Sequence, residues 1–230
     1  MNNKRSIAFI TSCILIVLVL ISTGCTSDTS NIIDVDNEGV TNIDKKALDE
    51  TINESSPQNL NDSEEEGILF MREEEKLARD VYLQMYQIWE TTVFNNIGKS
   101  EQTHMDAMES LITRYGLADP VEGMDIGEYT DQILQELHDE LIEAGSNSEM
   151  DALKVGAAIE EIDIIDIERY KVQTNKQDII TVYDNLLKGS RNHLRSFVSV
   201  MEKRGISYEP QYLSKEVFND IITSPIERGG

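Results

Sequence analysis

The chain is short of cysteine, of basic charge and of strand-forming pattern, and each shortage removes a class of explanation. Its two cysteines, Cys13 and Cys25, both lie in the first 25 residues. The remainder holds no disulfide, and no Cys-x-x-Cys pair for zinc, rubredoxin-type iron or an iron–sulfur cluster. Any metal chemistry there must use oxygen and nitrogen ligands. Lysine and arginine number 20 against 43 aspartates and glutamates, for a net charge of -23. Such a chain repels nucleic acid and anionic membrane surfaces. Most of its charges are expected on a solvated surface, and a diffuse negative field is not a site. Strand signal is nearly absent: the β-branched run 162–167 lies inside a helix-length segment with Glu and Asp.

The N-terminus reads as a leader. Lys4 and Arg5 precede an almost unbroken apolar run from Ile7 to Ile21, and Ser22-Thr23-Gly24-Cys25 follows. A helix of that length spans about 22 Å at 1.5 Å per residue. The hydrocarbon core of a bilayer is roughly 30 Å thick, so a secretory signal fits better than a membrane span. The small residues before Cys25 resemble a lipoprotein signal, in which that cysteine becomes the lipidated first residue. Ser22 departs from the aliphatic residue usual there, and an uncleaved anchor or plain secretion are the alternatives. The chain is accordingly expected outside the cytoplasm, tethered to a membrane by lipid. Residues 26–62 are rich in Asn, Asp, Ser and Thr without a sustained period, and read as a disordered tether.

From Ser63 the pattern becomes helical. Four stripes run at steps of three and four, which places the members of each on one helix face. They are Ile68, Met71, Glu75, Ala78, Tyr82, Met85, Trp89; then Phe94, Ile97, Glu101, His104, Met108, Leu111, Tyr115; then Met150, Leu153, Ala157, Glu160, Ile164, Ile167; and Ile179, Tyr183, Leu186, Ser190, His193, Phe197, Val200. Ser63 with Glu66 offers a capping box for a helix over 64–89. A second helix over 92–115 closes at Gly116 and Pro120. A shorter helix over 128–143 connects to a third long helix capped by Ser148 and running to 169. Thr174 with Gln177 opens a fourth, which ends near Gly205, and Ser214 caps a last short helix over 217–222. The fold class expected is all-α: a four-helix bundle with a short crossover helix and a C-terminal short helix, over 63–222, with a disordered tail at 223–230.

Each stripe carries a polar residue where a core residue belongs. Burying a lone carboxylate costs several kcal/mol unless something pairs with it. Three carboxylates and two imidazoles aimed at one axis therefore need a common partner, and one or two metal ions supply it. Di-iron carboxylate bundles use a Glu from each of two helices and Glu-x-x-His from the other two. Here Glu101-Gln102-Thr103-His104 is one such pair, and Glu75 and Glu160 are the single carboxylates. In Ser190-Arg191-Asn192-His193 the His is kept and the Glu is lost. Glu74 and Glu161 adjoin the chosen carboxylates, and a shift of one residue stays open. His138, in the crossover helix, has no partner at matching spacing and reads as a surface residue.

At these residues the chain resembles the ferritin-like superfamily, and rubrerythrin-type bundles most of all. Glu75-Lys76-Leu77-Ala78-Arg79-Asp80-Val81-Tyr82 matches their Glu-x-x-Ala-Arg-x-x-Tyr. The runs 71–82, 100–107 and 189–197 are similar to an uncharacterised ferritin-like group, the domain-of-unknown-function 2202 family. That likeness spans roughly 63–222. It implies a non-haem di-iron centre, with manganese or a mixed pair as alternatives, and redox chemistry with dioxygen or peroxide. Carried over residue by residue, it makes Glu75, Glu101, His104, Glu160 and His193 ligands. Rubrerythrins carry a second carboxylate one turn after the single Glu of the third helix, and Asp163 stands at that spacing. Tyr82 would orient a ligand carboxylate by a hydrogen bond. Ser190 is the departure, and leaves open one metal or two. The electron donor is unknown and must be external, since this chain has no rubredoxin domain. A homodimer is compatible with a lipid tether; a closed cage is not. The competing readings are a metal-binding lipoprotein without turnover and a structural bundle with a degenerate site.

Overall fold

The computed structural model describes residues 32–228. The leader with Cys25, the start of the expected tether and residues 229–230 lie outside the described residues. Within them the order is β1 (Ile33–Val35), β2 (Thr41–Ile43), α1 (Lys45–Ile52), α2 (Asp62–Trp89), α3 (Thr92–Tyr115), α4 (Gln132–Gly145), α5 (Glu149–Lys171), α6 (Gln177–Lys203) and α7 (Lys215–Thr223). The protein is an all-α bundle with one small antiparallel hairpin. No helix among the described residues is long and apolar enough to cross a membrane.

Four long helices make the bundle. Helix α2 packs along α3 and α5 along α6, and the two pairs meet through α2 with α5 and α3 with α6. Helix α4 lies across α2 and α5 and carries the chain between the pairs. The helix ends follow local chemistry. Asn61 caps α2, accepting from Glu64 N at 3.0 Å while Glu64 Oε2 accepts from Asn61 N at 2.9 Å. The capping box thus sits two residues earlier than Ser63 with Glu66. Gly116 closes α3 with φ of 65°, where a side chain would be strained. Ser148 and Ser214 cap α5 and α7 as expected. Thr174 does not cap α6, whose N-cap is Lys176; its hydroxyl donates to Glu64 instead.

The expected tether is replaced by structure. Residues 33–43 form the β1–β2 hairpin, and α1 follows over α3 and α6. Ile33, Val35, Ile43, Leu48 and Ile52 join the core of the bundle. The turn is held by Asp36, whose Oδ1 accepts from Glu38 N at 2.8 Å and Val40 N at 3.0 Å, with Gly39 at φ of 83°. The C-terminal segment is likewise anchored rather than free. Glu227 pairs with Arg191 at 2.6 Å and Arg195 at 2.8 Å, and Arg228 donates to Val35 O at 2.9 Å.

Leu48 tests the packing of this N-terminal segment. It is fully buried, so Leu48→Ala lowers stability by about 2–5 kcal/mol, the cost of emptying a core leucine site. A urea titration reads this; an unchanged midpoint would restore the disordered tether.

Candidate metal centre

Successive residues on a helix point about 100° apart, and α2 uses that to send four consecutive charges to four destinations. Glu73 accepts from Thr130 N at 2.6 Å and Asp131 N at 3.2 Å, holding the start of α4. Lys76 donates to Asp80 at 2.6 Å and to the carbonyls of Asp125 at 2.7 Å and Glu128 at 3.1 Å. Glu74 is buried with both oxygens unpartnered and feels Asp166 and Asp163 of α5. Glu75 alone meets the imidazole of His104, its Oε2 lying 3.2 Å from Nδ1. The neighbour question on α5 resolves similarly. Glu161 accepts from the Tyr208 hydroxyl at 2.6 Å and from the N–H groups of Gln211, Tyr212 and Leu213 at 3.0, 2.7 and 2.8 Å. It anchors the turn before α7, and Glu160 is the residue that faces the bundle axis.

The structure brings Glu75, Glu101, His104, Glu160 and His193 into one buried cluster. Glu101 stands between the imidazoles, with Oε2 2.7 Å from His104 Nδ1 and Oε1 2.8 Å from His193 Nδ1. The second pair is an ion pair without a well-aligned hydrogen bond. Glu160 Oε2 lies 3.6 Å from His193 Nδ1, and its Oε1 accepts from the Tyr82 hydroxyl at 2.6 Å. Asp163 accepts the hydroxyl hydrogen of Ser190. Glu75 Oε1 and Asp163 Oδ1 remain buried without partners. The rings of His104 and His193 stack with centroids 5.2 Å apart.

Two residues of the cluster carried no signal as site residues in the sequence. Thr41, on β2, places its hydroxyl 3.1 Å from Nε2 of both His104 and His193. Ser100 Oγ lies 2.8 Å from His193 Nε2. Glycine at 189 makes the room: a Cβ there would stand 2.3 Å from His104 Nε2. His138 is not at the surface. It is buried, 2.9 Å from Gln84 Nε2 and 3.0 Å from Asp139, under the ring of Tyr129.

The electrostatics show how the cluster is held with protons alone. Burial pushes Glu75 up from 4.5 to about 7, against the pull of His104. Burial and the charge of Glu101 lift Glu160 to about 7. Burial would raise Glu101 too, but His193 and His104 hold it well below the usual carboxylate range. Burial opposes charge on the imidazoles; Glu101 and Glu75 nevertheless raise His104 well above 6.5, and Glu101 and Glu160 raise His193 to about 9. Burial, then Glu75 and Glu160, push Asp163 well up.

The segment 64–225 matches the family model described as Uncharacterized protein domain (DUF2202). The chain belongs to the DUF2202 family. It is similar to the uncharacterized protein MJ0754 of Methanocaldococcus jannaschii, at 49% identity over 180 residues, which are 78% of this chain and 97% of that protein. It is also similar to the crystal structure of hypothetical protein MJ0754 from Methanococcus jannaschii DSM 2661. That match has a TM-score of 0.73 at 50% identity, over 74% of this chain and 98% of the other. The alignment with MJ0754 is longer than the stretch from residue 64 to the C-terminus, so it takes in residues before the family match. Thr41 also precedes the DUF2202 segment, although it touches the cluster inside it.

The pH dependence of the metal-free protein follows from these shifts. Glu75 and Glu160 bind protons more tightly folded than unfolded, so stability is full below their ordinary 4.5 and falls as pH rises through about 7. His193 adds stability that is complete below 6.5 and lost as pH rises through about 9. The melting temperature of metal-free protein therefore falls steadily from pH 5 to pH 9, and Glu75→Gln flattens the lower part of the decline. A melting temperature that rises over this range would contradict the assignment.

Proposed function

We propose that the DUF2202 domain of this chain holds two divalent ions, iron foremost and manganese or a mixed pair as alternatives. The bundle is read as ferritin-like, of the rubrerythrin type. The observation that carries the reading is the buried cluster of Glu75, Glu101, His104, Glu160, Asp163 and His193, in which Glu75 Oε1 and Asp163 Oδ1 have no partner. Buried polar atoms without partners are rare in folded proteins, and two beside an ion-paired cluster mark an unmet demand. The donors are all oxygen or imidazole nitrogen, which suits iron, manganese or zinc rather than a thiophilic ion. Charge supports the count. Glu75, Glu101, Glu160 and Asp163 carry four negative charges when ionised, and two divalent ions with two neutral imidazoles balance them.

In this reading Glu75 and His104 would serve one ion and Glu160, His193 and Asp163 the other, with Glu101 between the two histidines. Ser190 is not a ligand; its hydroxyl holds Asp163, which takes the place of the missing carboxylate. Tyr82 fixes the rotamer of Glu160 by its hydrogen bond. The ring of Tyr82 packs with the buried rings of Phe94 and Phe197, with centroids 5.2 to 6.4 Å apart. When bound there, iron supplies the electrons that reduce dioxygen or hydrogen peroxide, as in a ferroxidase or a peroxidase. Sustained turnover draws on an external donor. A lipid on Cys25 would keep this chemistry outside the cytoplasm, tethered to a membrane.

One observation favours a second reading, a single-ion binding protein without turnover. Ligand atoms of Glu101, His104 and His193 lie within 4.8 Å of one another, close enough for one ion. Metal titration of the chain from residue 26, freed of metal and kept anaerobic, separates the two. The di-metal reading expects about two Fe(II) per chain, the number that carboxylate bundles of this type hold. Glu101→Ala abolishes both, whereas Glu160→Ala weakens only the half with His193. One ion per chain supports the second reading, and none in a folded protein rejects both.

A further inference from the structure

We infer that Thr41, on the N-terminal hairpin outside the DUF2202 segment, is a positioning residue that fixes both imidazoles for metal binding through Nδ1. The inference rests on the metal reading and assigns the task of presenting its two histidines. The donors and acceptors around Thr41 fit one arrangement of hydrogens. Ser100 donates its hydroxyl hydrogen to the carbonyl of Thr41 at 2.5 Å. The Thr41 hydroxyl hydrogen then has Ser100 Oγ, also at 2.5 Å, as its acceptor. Two lone pairs of Thr41 Oγ1 are left, and the Nε2 atoms of His104 and His193 each lie 3.1 Å away. Both rings therefore place N–H at Nε2, which leaves Nδ1 facing Glu75, Glu101 and Glu160. The partner of one ring nitrogen decides which nitrogen is free for a metal.

The hairpin is built to hold that hydroxyl still. Ile43 N donates to Thr103 of α3 at 3.2 Å, and Ser196 of α6 donates to Glu38 O at 2.5 Å. Thr41 N donates to Ser100 Oγ at 3.1 Å. The backbone opposite has been cleared for the contact, since a Cβ at Gly189 would stand 3.1 Å from Thr41 Oγ1 as well as within His104. The two rings are not equally dependent on Thr41. Ser100 Oγ also stands 2.8 Å from His193 Nε2, whereas among the described residues His104 Nε2 has Thr41 alone.

Thr41→Val keeps the shape and removes the hydroxyl. It is expected to weaken zinc binding about ten- to hundred-fold, the usual cost of losing a hydrogen bond behind a metal-bound imidazole. The loss falls on the half with His104, and Thr41→Ser restores affinity. Nitrogen-15 spectra of the zinc-loaded unaltered chain give a readout that needs no variant. Both rings should show a slowly exchanging proton on Nε2 and a metal-bound Nδ1. Either ring bound through Nε2 overturns the assignment, as does a Thr41→Val protein with unaltered zinc affinity. A Thr41→Val chain that melts earlier but binds zinc as before reduces Thr41 to a packing role. If the unaltered chain binds no zinc or iron, the metal reading itself fails, and this assignment falls with it.

Discussion

A buried carboxylate with both oxygens facing imidazoles sets the terms for everything around it. Glu101 stands 2.7 and 2.8 Å from two ring nitrogens, and its negative charge is buried away from bulk solvent. In a low-dielectric interior that charge is compensated locally or not tolerated. The compensation comes from the imidazoles of His104 on α3 and His193 on α6, while α2 and α5 add the further carboxylates Glu75, Glu160 and Asp163. Each new carboxylate deepens the same demand, and raised proton affinities meet it. The four-helix packing is thus tied to the charge balance of its centre as well as to its apolar stripes.

The other buried charges follow the same logic with ordinary partners. Glu64 pairs with Lys176 at 2.5 Å, Arg72 with Asp119 at 2.8 Å, and Lys76 with Asp80 at 2.6 Å. Glu73 and Glu161 are held by backbone N–H groups of the segments they organise. An acidic chain of this kind does not simply spread its charge over the surface. It spends many carboxylates as staples for loops, and keeps at the axis those that meet imidazoles, hydroxyls and each other.

Much of this was legible in the sequence because a helix repeats itself. Steps of three and four located the long helices, and Gly116, Ser148 and Ser214 marked ends through local chemistry that needs no tertiary partner. Polar residues inside apolar stripes were legible for the same reason: Glu75 shares a face with Met71, Ala78 and Tyr82, and Glu74 does not. The hairpin was not legible. Its strands have three residues each, so alternation shows only twice, and what buries Ile33 and Val35 is a surface made by other helices. Thr41 looked like any threonine in a polar run. His138 was misread because its burial depends on the loop that Lys76 gathers from 49 and 52 residues away.

The position of Thr41 in the chain also dictates an order of assembly. Its partners His104 and His193 follow it by 63 and 152 residues. The hairpin is made first, but two strands of three residues have no independent stability in water. Its docking surface does not exist until α3 and α6 lie side by side. Contacts of such long sequence separation form late, because the loops they close must be ordered first. The earliest segment of the domain to be synthesised is therefore the last to settle, and the nitrogen atoms behind which it sits are aligned only when the whole chain has arrived.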